Sequence, residues 1–331
     1  MVKKYQLNMP KYLEGDMNLI HIGTEKTGTT QLQSFFRINK NLLNSNFNID
    51  FRVSDLGSGS SSDLVNIVSE QYFNDLPMAG RSARCSWGRE NTLISSEHFS
   101  SRLITDQEVK NLKELLNFSG ETKIIVYVKP QEELLTGMYA EAIKSGRPPA
   151  SLPSFNSLLS KKRYGSSYFD YNKLLEPWFK VFSELTEFEI IPYERNTLVD
   201  GDICKDFAEK FLSGLGDVAQ LNIPKSNENK TLSPEILLTL ERFQEQFNLI
   251  NKSLLIRILQ DIDRFGAGVF FSQEELVEFR SYFEVSNSKI SKIISKDHIF
   301  SSVKDVRSIS KDYYMQDEVF YDICRDVEKR I

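Results

Sequence analysis

The chain has 331 residues, 40% of them apolar and 26% charged, with a formal net charge of −5. This composition fits a globular protein with a core of ordinary size, built as one long domain or one domain with additions. It argues against a general nucleic-acid binder, and no run reaches the roughly 18 apolar residues that a membrane span needs. The three cysteines, Cys85, Cys204 and Cys324, and the three histidines are scattered without metal-ligand spacing. Reduced thiols, a cytoplasmic location and no metal are therefore expected. The first sixteen residues carry lysines with no apolar stretch behind them, so no secretory leader is expected.

Four β-rich segments read as buried parallel strands: 18–23 (NLIHIG), 91–97 (NTLISSE), 122–129 (TKIIVYVK) and 187–194 (EFEIIPYE). Apolar residues at helical spacing fill 29–43, 131–143, 171–185 and 202–212 between and after them. This alternation predicts an α/β fold, a central parallel sheet flanked by helices on both faces. Residues 54–63 (SDLGSGSSSD) read as a flexible loop, and 145–153 (SGRPPASLP) as a turn that ends a helix. After residue 224 no strand pattern is clear, and helices are expected over 235–262, 273–294 and 318–331. The expected organisation is an α/β core over 1–224, with a mainly helical part, 225–331, packed on it.

The first strand runs into "HIGTEKTGTTQLQSFF", an apolar strand end, a small-residue loop and a helix start. Such a turn directs backbone N–H groups at one point, and the helix N-terminus adds partial positive charge. Gly28 allows close approach, and Thr27, Thr29 and Thr30 bring hydroxyls. The spacing of Gly23 and Gly28 matches the ATP loop G-x-x-x-x-G-K-[ST], but Thr29 stands where that loop has its lysine. Lys26 lies inside the loop instead. From there it could reach the bridging oxygen of a bound anhydride without a metal.

The run Lys26-Thr27-Gly28-Thr29-Thr30, with Leu32 behind it, resembles the 5′-phosphosulfate loop of sulfotransferases that use 3′-phosphoadenosine 5′-phosphosulfate (PAPS). The resemblance implies a P-loop-related sulfotransferase fold, with Lys26 at the phosphate–sulfate bridge and the loop around the 5′-phosphate. A second block, "IIVYVKPQEELLTGMYAEAIKSG", is similar to the family's 3′-phosphate segment. Lys129 stands there for the usual arginine, and Gly137 for the usual serine, with Thr136 beside it to supply a hydroxyl. Lysine keeps the charge and loses the bidentate fork. A third block, "EIIPYERNTLVDGDICKDFAEKFLSGLG", resembles the late strand and the helix with an aspartate–phenylalanine pair, Asp206 and Phe207. It implies that Tyr193 lies on the adenine side of the cofactor. The three blocks span residues 19–216 in the family's order, and Tyr168, Tyr171 and Trp178 before the third read mainly as packing residues.

Sulfuryl transfer to a hydroxyl needs a base, and in an open α/β sheet ligands lie beyond the C-terminal strand ends. Both Glu97 and His98 end the second expected strand. Glu97 is favoured because it closes the strand, while His98 has the better intrinsic pKa. His21 reads as a core or supporting histidine, and His298 as a surface one. Arg81, Arg84 and Arg89 around Trp87 read as an acceptor loop, with guanidinium groups for an anion and an indole for a sugar face. Lys225, Asn227 and Lys230 are weaker candidates for the 3′-phosphate. The implied activity is transfer of the sulfuryl group of PAPS to a hydroxyl of a carbohydrate or small molecule. Two alternatives stay open: an ATP-dependent small-molecule kinase, and a non-catalytic descendant that binds a nucleotide or a partner.

Overall fold

Strand β1 (Met17–Ile22) is buried along nearly its whole length, as expected of an inner strand covered on both faces, with Asn18 and His21 buried among its apolar residues. It lies at the centre of a five-stranded, all-parallel sheet with order β2-β3-β1-β4-β5. The other strands are β2 (Asp50–Phe51), β3 (Thr92–Ser96), β4 (Glu121–Val128) and β5 (Thr186–Pro192). The computed structural model describes residues 17–53, 61–69, 91–118, 120–145, 166–182, 186–225, 232–246, 252–266, 268–300, 307 and 317–330.

Alternate strand residues face opposite ways and feed two separate cores. Ile20, Ile22, Ile94, Ile124, Val126, Val128 and Ile190 pack on one face with α3 (Asp63–Val68), α4 (His98–Arg102), α5 (Asp106–Leu116), α6 (Gln131–Ser145), α7 (Ser166–Phe169) and α8 (Tyr171–Val181). Leu19, Leu93, Ile125, Tyr127 and Ile191 pack on the other face. Their partners there are α1 (Thr29–Ile38), α2 (Lys40–Phe47), α9 (Ile203–Phe207) and the π-turn that continues it, Ala208–Leu212. The protein is thus an α/β sheet flanked by helices.

The continuous helix expected over 29–43 is two helices. Asn39 interrupts it, its side chain donating to the Phe35 carbonyl at 2.8 Å and to the Asn222 carbonyl at 2.8 Å. The run 235–262 likewise divides into α10 (Pro234–Gln246) and α11 (Lys252–Ile262). Two further helices follow, α12 (Gln273–Ile293) and α13 (Asp317–Glu328). These C-terminal helices share cores with the sheet side of the molecule. Phe279, Phe283 and Ile290 of α12 join the core under α6 and α8, and α10, α11 and α13 close on Tyr139 and Ile143 of α6. Glu132, 3% exposed, accepts two hydrogen bonds from Arg280 of α12, at 2.9 and 2.8 Å. Removing Arg280 would leave the buried Glu132 carboxylate uncompensated.

No described helix is long and apolar enough to cross a membrane.

Candidate functional site

The chain leaves β1 toward β2 on one side of the sheet, and leaves β4 toward β5 on the other. The crevice between the C-terminal ends of β1 and β4 is therefore the topological switch point, where open parallel sheets hold ligands. Residues 23–28 cross it. Gly23 is required there by contact: a Cβ would lie 2.6 Å from Thr29 Oγ1 and 2.9 Å from Glu97 Cα. Its N–H donates to the Ser96 carbonyl at 3.0 Å, and its own carbonyl accepts from Ser100 Oγ at 2.5 Å. The loop is thereby fixed to the end of β3. Thr24 Oγ1 donates to the Tyr127 carbonyl at 2.6 Å, which fixes it to β4 as well.

Two residues of the loop are left-handed, Lys26 at φ 62° and Gly28 at φ 77°. Among the described residues, the other non-glycine ones with positive φ are Asn48, Asn91, Asn117, Asp200 and Ser295, all short and polar. Lysine in this region costs about 1–2 kcal/mol with no local side-chain hydrogen bond to offset it. Such strain at a candidate site is held in place by the surrounding structure. The Thr27 and Thr29 hydroxyls are buried and both donate to the Thr24 carbonyl, at 2.7 and 3.3 Å, so they brace the loop from within. Thr30 is exposed. The backbone N–H groups of Lys26, Thr27, Gly28, Thr29 and Thr30 have no acceptor among the described residues, and no side chain caps α1. A run of open donors at a helix N-terminus suits an anion.

The Lys26 side chain lies across α6. A Cβ at Gly137 would sit 3.2 Å from Lys26 Cγ, and Lys26 Nζ reaches Glu141, one turn further along, at 3.2 Å. Glu97 belongs to the same charge cluster. Burial pushes its carboxyl above the usual range, the charges of Glu25 and Glu141 push it further, and Lys26 opposes them. Its carboxylate makes no hydrogen bond to a described residue. Lys144, whose pKa burial lowers, completes the cluster through the charges of Glu141 and Lys26. His98 is placed differently. It opens α4, its pKa is lowered by burial and by Arg102, and Lys26 does not enter into that shift.

On the other side of the loop, a Cβ at Gly28 would lie 3.2 Å from the Tyr193 hydroxyl and 3.2 Å from Ile203 Cγ2. Lys129 Nζ stands 5.8 Å from the centre of the Tyr193 ring and 3.4 Å from Glu133 Oε2. Gly28, Tyr193 and Lys129 thus adjoin in sequence across the ends of β1, β5 and β4. Thr136 does not join them. It is 3% exposed, and its hydroxyl accepts the Phe270 N–H at 3.3 Å. A helix sets successive residues about 100° apart, so with residue 137 against Lys26, residue 136 turns toward the C-terminal helices.

His21 is fully buried. Its Nδ1 lies 2.8 Å from Ser95 Oγ, and its Nε2 has no hydrogen-bond partner among the described residues. Asp206, also fully buried, accepts from the Tyr127 hydroxyl at 2.9 Å, the Val199 N–H at 3.2 Å and Lys210 at 2.8 Å, so it organises the floor beneath α1. His298 is exposed. Lys225 is exposed too, and follows Asn222, which Asn39 holds at the far end of α1 from the loop. Arg81, Arg84, Trp87, Arg89, Asn227 and Lys230 lie outside the described residues. A cavity of about 660 Å³ opens at the opposite end of the sheet, near Gly120, Thr122 and Thr186. The ammonium groups on its wall are already engaged, Lys110 by Glu114, Lys113 by the Val181 carbonyl, and Lys180 by Asp106 and Glu176.

Two residues of this site, Glu141 and Lys144, have no expected role in the sequence, and Tyr168 is expected there only to pack. Glu141 follows Gly137 by four residues, a spacing that puts both on one helical face. Tyr168 is 143 positions from Glu25, whose N–H it accepts at 3.1 Å, and nothing local announces that contact. The chain matches no family profile and no curated protein.

Proposed function

We propose that the protein is a sulfotransferase that takes the sulfuryl group of PAPS to a hydroxyl of a carbohydrate or small-molecule acceptor. The observation that carries this reading is the open run of N–H donors from Lys26 to Thr30, with a lysine inside the loop and no lysine after its second glycine. Open donors at a helix N-terminus fit the phosphate groups of such a donor. Lys26 to Thr30 would hold its 5′ side, Lys129 its 3′-phosphate, and Tyr193 its base by stacking. When bound, PAPS supplies an activated sulfuryl group and a stable bisphosphate leaving group. Lys26 offers positive charge where negative charge develops, and Glu97 accepts the acceptor's proton. No step is assigned to a metal, and the setting is that of a cytoplasmic enzyme.

The test is ligand-linked stability. 3′,5′-adenosine bisphosphate at 100–1,000 times its dissociation constant should stabilise the chain by about 2.7–4.1 kcal/mol. ATP with magnesium at equal concentration should do less, and Lys26→Ala should reduce the bisphosphate effect. Greater stabilisation by ATP with magnesium would move the protein to the kinase class. A chain indifferent to both ligands would favour a non-catalytic descendant that binds a partner.

Lys129 has its own expected result. Lys129→Ala should weaken the bisphosphate by about 1.5–3 kcal/mol, the range of a charge-assisted hydrogen bond, while adenosine 5′-phosphate loses little. Lys129→Arg should hold or improve binding, since guanidinium restores the fork. Equal losses for both ligands in calorimetric titration would place Lys129 on the 5′ side or in the scaffold.

A further inference from the structure

The four residues 168–171 each make a hydrogen bond to a different part of the molecule. The buried Tyr168 hydroxyl accepts the Glu25 N–H, 3.1 Å away in the loop after β1. The Phe169 carbonyl accepts from Gln131 Nε2 at 3.2 Å. Asp170 caps α8 through the Lys173 N–H at 3.0 Å, and accepts from Ser286 of α12 at 2.5 Å. The Tyr171 hydroxyl donates to the Lys129 carbonyl at 2.6 Å. Both tyrosines are buried, Tyr168 4% exposed and Tyr171 0%.

Tyrosine is not needed for packing here, since phenylalanine would fill the same volume. What each hydroxyl adds is one bond to the backbone just beyond a strand end, Glu25 in the loop after β1 and Lys129 after β4. Glu25 immediately precedes the strained Lys26, and Lys129 is itself the basic residue at the end of β4. The two bonded groups lie on either side of the switch-point crevice. The segment between the tyrosines is held to α6 by Gln131 and to α12 by Ser286.

We propose that Tyr168 and Tyr171 are positioning residues that fix the two anion-holding strand ends relative to each other, Tyr168 the loop at Lys26 and Tyr171 the end of β4 at Lys129. This rests on the reading of the crevice as the site of a 3′,5′-bisphosphate. The roles divide. Tyr168 sets the 5′ side, and Tyr171 sets the grip on the 3′-phosphate.

The experiment compares Tyr168→Phe and Tyr171→Phe by titration with 3′,5′-adenosine bisphosphate and with adenosine 5′-phosphate. Loss of one neutral hydrogen bond acting through the backbone corresponds to roughly threefold to tenfold. Tyr168→Phe should weaken both ligands by the same factor in that range. Tyr171→Phe should weaken the bisphosphate by that factor and leave the monophosphate unchanged, so that the ratio of affinities falls. Amide hydrogen exchange on the unliganded wild-type chain is the second measurement, and it stands even if a variant does not fold. The Glu25 amide should be protected while those of Lys26 to Thr30 exchange quickly. Wild-type affinities in both variants, or a Glu25 amide as fast as its neighbours, would overturn the proposal and leave the functional reading intact. A wild-type chain that binds no bisphosphate overturns both.

Discussion

Glu97→Gln is expected to lower kcat by about 10²–10⁴ with a hydroxyl acceptor, and to leave bisphosphate affinity nearly unchanged. The lost interaction belongs to the transition state, and amide for carboxylate keeps size and polarity at the end of β3. Two features single out Glu97 over His98. Glu97 shares a charge cluster with Lys26, whereas the shift of His98 comes from burial and Arg102. Glu97 also follows the last residue of an inner strand, a rigid mount. Its raised pKa sets the sign of the pH effect. The base form exists only above that pKa, so the rate should fall as pH drops through it, and this acid limb should vanish in Glu97→Gln. His98→Asn should cost less than about tenfold. A dead His98→Asn with a fully active Glu97→Gln would reverse the roles.

The second large effect is on stability, and it belongs to His21. Burial lowers its pKa from 6.5 to about 3. In that window the unfolded chain binds a proton that the folded chain refuses. The stabilisation is therefore complete above pH 6.5 and is lost progressively as pH falls toward 3. The full range corresponds to about 5 kcal/mol, of which about 2 kcal/mol is lost between pH 7 and pH 5. His98, also lowered, acts in the same direction, and the raised Glu97 in the opposite one. Subtracting the profile of His21→Gln from that of the wild type isolates the histidine. Denaturant midpoints at pH 7 and 5 should fall further in the wild type than in His21→Gln. Parallel profiles would show that His21 does not carry the effect.

The sheet was legible because the runs ending at Ile22, Ser96, Val128 and Pro192 are β-rich with apolar residues at their centres, even though Asn18, His21 and Ser95 are buried among them and Glu187 and Glu189 stand exposed on the edge strand β5. Asp50–Phe51 was not, since two residues carry no pattern. The helix Asp106–Leu116 is absent from the expected elements although Thr105 and Glu108 spell out its capping box, with both reciprocal hydrogen bonds formed. The break at Asn39 escaped because apolar spacing continues through it to Leu43, and the interruption depends on Asn222, 183 positions away. The same division runs through the site. Lys26, Gly28, Lys129, Tyr193 and Glu97 stand at strand ends or in the turn after one, and strand ends can be read. Thr136 was misjudged by one helical position. The clamp from Tyr168 and Tyr171 needs the fold before it exists.

Gly137 has a consequence for how this sequence can change. The side-chain-free surface at 137 is where the Lys26 stem lies, and Glu141 takes the ammonium beyond it. Serine at 137 would bring a Cβ to 3.2 Å from Lys26 Cγ, so the stem would have to give by a few tenths of an ångström. The two positions are therefore epistatic. The cost of a hydroxyl at 137 is set by the side chain at 26 and by the carboxylate that draws it across the helix. That cost should change when Glu141 no longer holds the ammonium, as expected of residues in contact.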